Sequence, residues 1–415
     1  MKLLNTIILT YTILLILSTP NFLSLKAQEN GTGTATMPVQ SSEGGFCKSM
    51  VETNGYECED HNVTTKDGYI LNVVRIPMGG CRDCRTRGNK SPVLLQHGVF
   101  VVGLLQSWLL LPPKQSLAFN LADNGYDVWL VNSRGTEYSE GHTSLKFDDP
   151  AYWNWSLDEL VAYDLPATFQ YVYDQTGQKL HFVGHSLGTL MVMAAMSRDQ
   201  LVNMLESVAL LSPVAYMGHT TSLLSRVIAD NFIAETLDSL GFYKFDMRNV
   251  IIIEILKVIC RIPSVDCTTL LFTPFTGQNC CMKPSIMDIF LDHEPQPAAM
   301  KIVIHMCQLI RGGNTTMFDY NDSGTNLKHY GQPTPPAYNM IGIPKDLPIF
   351  LSHGGADALS DVDDVKLLLD SLQGHDPDKI VVQFIERFAH ADYVMSGNAK
   401  EHVYDPFIAF LSRLH

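Results

Sequence analysis

Ser186 lies in the stretch FVGHSLGTL, residues 182–190, where a serine stands between two glycines in a GxSxG pattern. The pattern alone is weak evidence, because it occurs by chance in about one chain in seven of roughly this length. Its surroundings are more specific: the apolar residues LHFV precede it and the helix-forming run LMVMAAM follows it. A serine on a turn between a strand and a helix is typical of a catalytic nucleophile. We therefore predict that Ser186 is a nucleophile.

A serine hydroxyl becomes a good nucleophile only when a base removes its proton and a carboxylate orients that base. Both groups are expected later in the chain, each in a loop that follows a strand. Asp357 comes just after the apolar run of LPIFLSHGGAD, and His390 follows the last predicted strand in RFAHADYV. We predict that Asp357 is the orienting acid and His390 the general base. The nearby Asp361, Asp363 and Asp364 are interpreted instead as first-turn residues of the next helix, where the dipole favours them.

The chain also offers main-chain groups that could stabilise an oxyanion. His97, in LLQHGVF, precedes Ser186 and is therefore not expected to be the base. HGV is interpreted as the loop after an early strand, so the amides of Val99 and Leu187 are the predicted donors.

The glycines of the pattern have a structural purpose. Gly184 and Gly188 would leave room for the tight turn at Ser186 and for close packing of the helix on the strand.

Strands and helices alternate around these residues. HNVTTKDGYILNVVRIP predicts two strands around an Asp-Gly turn, and PVLLQHG and DVWLVNSRG predict buried strands on either side of the helix SLAFNLADNG. The helix LDELVAYDLPATFQYVYDQTG and the strand KLHFVG follow. This order predicts an α/β fold with a mostly parallel central sheet flanked by helices.

Residues 216–335 interrupt the alternation with helical apolar stretches and a Cys- and Pro-rich section. The alternation then resumes with LPIFLSHGG, a helix, the strand KIVVQFIE and a C-terminal helix. We predict that residues 47–215 and 336–415 form one core and that 216–335 are an inserted cap or lid. The alternative is that the inserted helices simply complete the core.

The N-terminal residues 1–27 have the layout of a secretory signal peptide, with Lys2, a mostly apolar run and a small residue at Ala27. An uncleaved anchor is the alternative. Residues 28–46 predict a flexible leader, and no later stretch reaches the ~18 apolar residues that a transmembrane helix needs. We expect passage through the secretory pathway, to the extracellular space or alternatively to a vacuole- or lysosome-like compartment.

Glycosylation signals and cysteines agree with that route. The odd number of cysteines, nine, leaves at least one unpaired, and CRDC at 81–84 is interpreted as a surface loop with a local bridge. It lacks the second CxxC of a structural zinc site, and no metal is expected.

Asn154 belongs to one of the N-x-[ST] glycosylation signals, and the tryptophans beside it would bury its side chain and hinder its modification. The N-x-[ST] candidates are Asn30, Asn62, Asn154, Asn314 and Asn321.

The overall charge excludes one class of partner. The formal net charge is −14 and the chain has no Lys/Arg-rich block, so nucleic acid is not an expected partner.

Eight blocks in order carry a resemblance to a known family: TTKDGYILNVVRIP, LLQHGV, LADNGYDVWLVNSRGTEYS, WSLDELVAYDLPA, FVGHSLGT, HYGQPTPPAYN, GGADALSDVDDV and AHADYVM. The chain resembles the acid lipase family of α/β hydrolases, which includes gastric and lysosomal acid lipases, and is most similar to plant triacylglycerol lipase 2-like members. The resemblance covers almost everything from Cys47 onward.

The resemblance implies an α/β-hydrolase fold with a helical cap, and a cofactor-free hydrolase of neutral lipid esters at a lipid–water interface. Triacylglycerols are the implied substrates, with steryl esters in some members, whereas protein partners stay open. Ser186, Asp357 and His390 fall where the family carries its triad, and Val99 and Leu187 where it carries its oxyanion amides. Animal members usually read GHSQG and often have Leu where Val99 stands. Two alternatives remain: an esterase or phospholipid acyl hydrolase, and a non-catalytic lipid-binding protein on a hydrolase scaffold.

Overall fold

A nine-stranded sheet forms the centre of the protein. The computed structural model describes residues 45–80, 90–99, 105–247, 250–262 and 264–414. The predicted signal peptide, almost all of the predicted leader, Asn30 and the CRDC loop lie outside the described residues. No helix in the described ranges is long and apolar enough to cross a membrane.

The strands and helices follow in chain order. The strands are β1 (Glu59–Thr64), β2 (Tyr69–Ile76), β3 (Pro92–Gln96), β4 (Asp127–Val131), β5 (Gly141–His142), β6 (Leu180–Ser186), β7 (Leu205–Pro213), β8 (Lys244–Phe245), β9 (Ala298–Ala299), β10 (Ile349–Gly354) and β11 (Ile380–Ile385). The helices are α1 (Leu117–Asp123), α2 (Leu157–Glu159), α3 (Leu165–Thr176), α4 (Leu187–Met196), α5 (Leu223–Asp230), α6 (Ile233–Ser239), α7 (Val250–Cys260), α8 (Cys267–Thr276), α9 (Met287–His293), α10 (Met300–Gly312), α11 (Ser323–Tyr330), α12 (Val362–Ser371), α13 (Asp392–Met395) and α14 (Asp405–Leu411).

The main sheet has the order β1-β2-β4-β3-β6-β7-β10-β11, and β5 pairs with β2. β1, β2 and β4 pair antiparallel, whereas every pair from β4 to β11 is parallel. The prediction of a mostly parallel sheet is therefore confirmed. Parallel neighbours end at the same edge of a sheet, so the loops after β3, β6, β7 and β10 meet there.

Two hydrophobic cores lie on opposite faces of this sheet, because successive side chains of a strand point to opposite sides. On β3, Leu94 belongs to one core, whereas Val93 and Leu95 belong to the other. Helices α3 and α4 pack in the first core, and α1 and α14 in the second. The sheet is thus covered by helices on both faces.

The sequence predicts one helix over 157–176, but the structure has three segments there. α2 passes into a π-helical turn at Leu160–Asp164 before α3 begins. Pro166 in the first turn of α3 cannot donate a main-chain hydrogen bond, so the regular ladder is broken at that point.

The segment between β7 and β10 contains α5 to α11 and the small β8–β9 sheet. Its helices contribute to both cores: Ile302 belongs to the first, and Phe272 and Phe290 to the second. The inserted helices therefore bury apolar side chains in both cores, and the assignment of residues 216–335 as a cap or lid stays a prediction. The bounds 47–215, 216–335 and 336–415 stay a prediction.

Among the residues that the structure describes, three disulfides join cysteines that are close in sequence: Cys47–Cys58, Cys260–Cys267 and Cys280–Cys281. Cys307 is buried and free.

The sequon asparagines that the structure describes are Asn62, Asn154, Asn314 and Asn321, and all are exposed. The expected burial of Asn154 is wrong, because its neighbours Trp153 and Trp155 turn into the core and leave the asparagine outside.

Candidate active site

Ser186 lies on a strained turn between β6 and α4. Its backbone has φ 56° and ψ −123°, a conformation that a residue with a side chain rarely adopts. Strain of this kind is typical of a nucleophile held at the end of a strand. The turn places Leu187 at the first position of α4, where main-chain N–H groups have no partner within the helix.

Glycines allow this turn to form. A Cβ atom on Gly184 would lie 2.7 Å from the carbonyl carbon of Gly188, and one on Gly188 would lie 2.6 Å from the carbonyl oxygen of Gln96. Both distances are too short for any side chain, so β6, α4 and the end of β3 can pack together only through these glycines.

Gly98, which sequence analysis did not single out, brings the loop after β3 against Ser186. A Cβ on Gly98 would lie 2.8 Å from the Cβ of Ser186. The next residue, Val99, lines the same cavity as Ser186 and Leu187. The backbone segments that carry the two predicted oxyanion donors therefore border the cavity beside the serine.

His97 holds the loop that carries Gly98. Its Nδ1 lies 2.6 Å from the carbonyl oxygen of Gly98, and its Nε2 lies 3.1 Å from the amide nitrogen of Ser133. Nε2 accepts from an N–H group, so Nδ1 carries the proton and donates to Gly98. Burial lowers the pKa of His97 to about 4, which keeps the ring neutral and this tautomer in place at neutral pH.

Asp357 and His390 come together at the same edge of the sheet. Nδ1 of His390 lies 3.0 and 3.1 Å from the two carboxylate oxygens of Asp357, and both side chains are fully buried. Nε2 of His390 is buried without a hydrogen-bond partner among the described residues. With Nδ1 donating to Asp357, Nε2 carries the lone pair that can accept a proton.

Ser212 is a further polar group at this site, and sequence analysis missed it. Its hydroxyl donates to Asp357, and its Oγ lies 2.8 Å from Nδ1 of His390. The residue is fully buried and has φ 53°. The only sequence signal is a serine at the end of the apolar run VALLSP, and that signal does not specify its partners.

The carboxylate of Asp357 is kept ionised despite its burial. Main-chain N–H groups of Leu359 and Ser360 donate to Oδ1 at 2.9 and 2.8 Å. Burial raises the pKa of Asp357, but His390 and the hydrogen-bond donors outweigh it and leave the pKa below its ordinary value. A charged Asp357 can therefore stabilise a positive charge on His390.

A cavity that opens to solvent contains both Ser186 and His390 in its wall, and the space between its atoms, solvent at the mouth included, is about 950 Å³. The core and the inserted helices both line it, and its lining residues include no Lys, Arg, Asp or Glu. Most of the lining is apolar: Val99, Leu187, Val214, Met217, Ile228, Phe245, Met247, Phe275, Pro295, Val303, Met306, Cys307, Ile310 and Leu359.

One group of potential metal ligands lies near this site. Sulfur atoms of Cys280 and Cys281 and a carboxylate oxygen of Asp392 lie within 4.8 Å of one another. The two sulfurs are joined in a disulfide, so they do not offer the thiolates that a metal ion would need.

The parallel sheet with a serine on the turn after β6 defines an α/β hydrolase. Residues 91–233 match the family model for the alpha/beta hydrolase fold, and residues 47–107 match that for a partial alpha/beta-hydrolase lipase region. A solved monoglyceride lipase from Saccharomyces cerevisiae, in a soluble variant, superposes with a TM-score of 0.53 at 16% identity, covering 86% of this chain and 97% of that one.

The sequence relatives are more specific. Triacylglycerol lipase 2 of Arabidopsis thaliana is 46% identical, over 91% of this chain and 90% of its own. Gastric triacylglycerol lipase of Homo sapiens is 34% identical, over 88% and 90%. The chain belongs to the acid lipase family of α/β hydrolases and is a carboxylic ester hydrolase, as the resemblance in the sequence implied.

The substitution Ser212→Ala removes the hydrogen bond to the charged Asp357. It should lower kcat about 10- to 100-fold and leave KM unchanged, because hydrogen bonds to charged groups contribute about 1.5–3 kcal/mol. Initial rates on a soluble short-chain ester measure both constants. Ser207→Ala is the matched control, since Ser207 is a buried serine of the same strand whose hydroxyl contacts His181 at 2.8 Å. Equal kcat values for the two variants would contradict a role for Ser212 at the site.

The buried His97 should make part of the stability depend on pH. Its pKa is near 6.5 in an unfolded chain and about 4 in the fold, so the unfolded chain binds more protons between these values. The stability contributed by neutral His97 is therefore complete above pH ~6.5 and is lost as the pH falls towards 4. The Tm advantage of the unsubstituted protein over His97→Gln should shrink between pH 7 and 4.5.

His219 gives a control of opposite sign. Its pKa is raised by the hydrogen bond to Asp364, so the stability that it contributes is complete below its ordinary pKa and is lost at higher pH. The Tm difference for His219→Gln should therefore not shrink on acidification. A His97→Gln difference that is constant or grows on acidification would contradict the assignment.

Proposed function

We propose that this hydrolase is a lipase that cleaves long-chain triacylglycerols through an acyl-enzyme on Ser186. The observation that carries the proposal is the mostly apolar cavity, free of Lys, Arg, Asp and Glu, whose wall contains both Ser186 and His390. Apolar lining suits fatty acyl chains, and the lack of Lys and Arg offers nothing to a phosphate group. The printed names of the relatives, triacylglycerol lipases of plants and animals, support the same substrate.

In the first half of the reaction, Oγ of Ser186 attacks the ester carbonyl carbon while Nε2 of His390 takes the hydroxyl proton. The carbonyl electrons move to oxygen, and the amides of Val99 and Leu187 stabilise that oxyanion. Collapse of the intermediate breaks the ester bond, and His390 gives its proton to the departing alcohol oxygen. The acyl group is left on Ser186.

In the second half, a water molecule attacks the acyl-enzyme while His390 takes one of its protons. The same two amides stabilise the second oxyanion. His390 then returns the proton to Oγ of Ser186, which releases the fatty acid and restores the enzyme. Asp357 balances the positive charge on His390 in both halves, with help from the hydroxyl of Ser212.

We further propose that the chain enters the secretory pathway and functions outside the cell, or in a vacuole-like compartment. Three disulfides among the described residues agree with an oxidising environment. The layout of residues 1–27 and the exposed sequon asparagines support the same route.

Ser186→Ala should reduce fatty-acid release from emulsified triolein by about 10⁴-fold or more, because the nucleophile is lost. Release is titrated over pH 4–8, alongside a short-chain soluble ester and an emulsified steryl ester. Ser197→Ala is the control, since Ser197 lies at the far end of α4 and its hydroxyl donates to the Ala194 carbonyl oxygen. A Ser186→Ala enzyme that keeps a tenth of the activity would refute the assignment of Ser186.

The three substrates separate the alternatives. Release from triolein identifies a triacylglycerol lipase, and release from the steryl ester extends the substrate class. Activity on the soluble ester alone would make the protein an esterase. Folded protein that releases acid from none of them would favour a lipid-binding role.

Glycosylation tests the proposed route through the cell. Asn62, Asn154, Asn314 and Asn321 are exposed, so protein expressed in a eukaryotic secretory host should lose mass on endoglycosidase treatment. Peptide mapping should find glycan at Asn154 despite its tryptophan neighbours. Secreted protein with unmodified asparagines at all four positions would contradict this expectation.

A further inference from the structure

The end of α8, within the inserted segment, contacts both the loop that carries Asp357 and the loop that carries His390. The carbonyl oxygen of Thr276 accepts from the amide of Ala358 at 3.3 Å and from the amide of His390 at 3.1 Å. One carbonyl group therefore joins the residue after Asp357 to the main chain of His390 itself. We refer to residues Thr276–Cys281 as the bridging segment.

The next residue, Gly277, packs tightly against the loop of the acid. A Cβ on Gly277 would lie 2.1 Å from the carbonyl oxygen of Ala356 and 3.0 Å from the amide nitrogen of Ala358. Its backbone has φ 88° and ψ −178°, a region that essentially only glycine adopts. The segment can therefore approach the residues on both sides of Asp357 only because position 277 has no side chain.

The side chain of Asp392 connects the other end of the bridging segment to the loop that carries His390 through hydrogen bonds. Its Oδ2 accepts from the amides of Ala389 at 2.8 Å and Cys280 at 3.0 Å, and its Oδ1 accepts from the amide of Cys281 at 3.2 Å. The side chain is fully buried, and the disulfide between the two neighbouring cysteines closes a small ring that contains the amide of Cys281. One carboxylate thus joins the residue before His390 to the inserted segment.

The carbonyl group of His390 accepts a hydrogen bond from a residue of the core. The imidazole Nε2 of His185 lies 2.9 Å from the carbonyl oxygen of His390, and its N–H donates to it. Burial lowers the pKa of His185 to about 3, so the ring stays neutral. The C=O of His390 is therefore held by the residue before Ser186, whereas its N–H is held by Thr276 of the bridging segment.

We propose that the bridging segment, together with Asp392, positions Asp357 and His390 for catalysis. The inserted segment then belongs to the framework of the active site as well as to the wall of the substrate cavity. Asp392 and Gly277 are positioning residues, because neither lines the cavity that contains Ser186 and His390. This inference rests on the proposed roles of Ser186, Asp357 and His390.

Gly277→Ala tests the contact with the acid loop. The methyl group must displace Ala356, and a displacement of about 1 Å at catalytic groups can cost about 100-fold in rate. We expect kcat on a soluble ester to fall about 100-fold with KM nearly unchanged. Gly241→Ala is the matched control, since Gly241 has the same φ of 88° but nothing within 4 Å of its Cβ position.

Asp392→Asn tests the contact with the loop that carries His390. Because Asn has nearly the same volume as Asp, this variant keeps the test possible if Gly277→Ala does not fold. The amide group offers one acceptor in place of two and turns an NH₂ towards main-chain donors. We expect a fall in kcat of about 10-fold or more, with KM unchanged, at pH 7.5. Burial raises the pKa of Asp392 to about 6, so the carboxylate of the unsubstituted enzyme is ionised at that pH.

Asp158→Asn is the matched control for Asp392. Asp158 is also buried and accepts from the Tyr338 hydroxyl at 2.8 Å and the Phe318 amide at 2.9 Å, but no hydrogen bond connects it to Ser186, Asp357 or His390. Both substitutions should lower Tm, and only Asp392→Asn should lower kcat per folded molecule. Equal kcat in Asp392→Asn and Asp158→Asn, or full kcat in Gly277→Ala, would overturn the proposal.

Covalent labelling separates this inference from the proposed function. An active-site phosphonate ester should label Ser186 more slowly in Asp392→Asn and Gly277→Ala, in parallel with kcat, and at the ordinary rate in the controls. If phosphonate labels another residue, or Ser186→Ala keeps its activity, the proposed function fails first. If Ser186 is essential and labels at the ordinary rate in both variants, only the positioning role fails.

Discussion

The proposed active site depends on how closely three backbone segments approach one another around Ser186. Gly98, Gly184 and Gly188 lie where any Cβ would come within 2.8 Å of a neighbouring atom. The contacts of Gly184 and Gly188 are with main-chain atoms and that of Gly98 is with Cβ of Ser186, so the end of β3, the end of β6 and the start of α4 pack as one unit. That unit holds a serine in a strained conformation, which costs on the order of 1–3 kcal/mol that the surrounding packing must supply.

The same edge of the sheet buries several polar groups, and hydrogen bonds satisfy most of them. Asp357 accepts from two amides, from Ser212 and from His390, so its charge is retained without contact with water. His97 and His185 are kept neutral by burial and each positions a main-chain group next to the site. Nε2 of His390, the atom that the proposed mechanism uses, is one of the buried side-chain atoms of the described residues that have no hydrogen-bond partner.

The inserted segment, residues 216–335, contributes both to the folded core and to the proposed active site. Residues 216–335 as a whole supply apolar side chains to both cores and most of the cavity wall. They also supply the carbonyl oxygen of Thr276 and the amides of Cys280 and Cys281 to the loops of the acid and the base. A lid that only covered the site would need none of these hydrogen bonds.

Local patterns in the sequence predicted most strands and helices of the core, the mostly parallel sheet and the candidates Ser186, Asp357 and His390, because periodicity, the turn signal and position after a strand are local properties. They did not predict the π-turn before α3 or the exposure of Asn154. Tertiary structure alone decided that Ser212, Gly98, Thr276 and Asp392 lie at the site. Their partners are distant in the chain: the contact of Ser212 with Asp357 spans 145 residues, so only the strand order could bring them together.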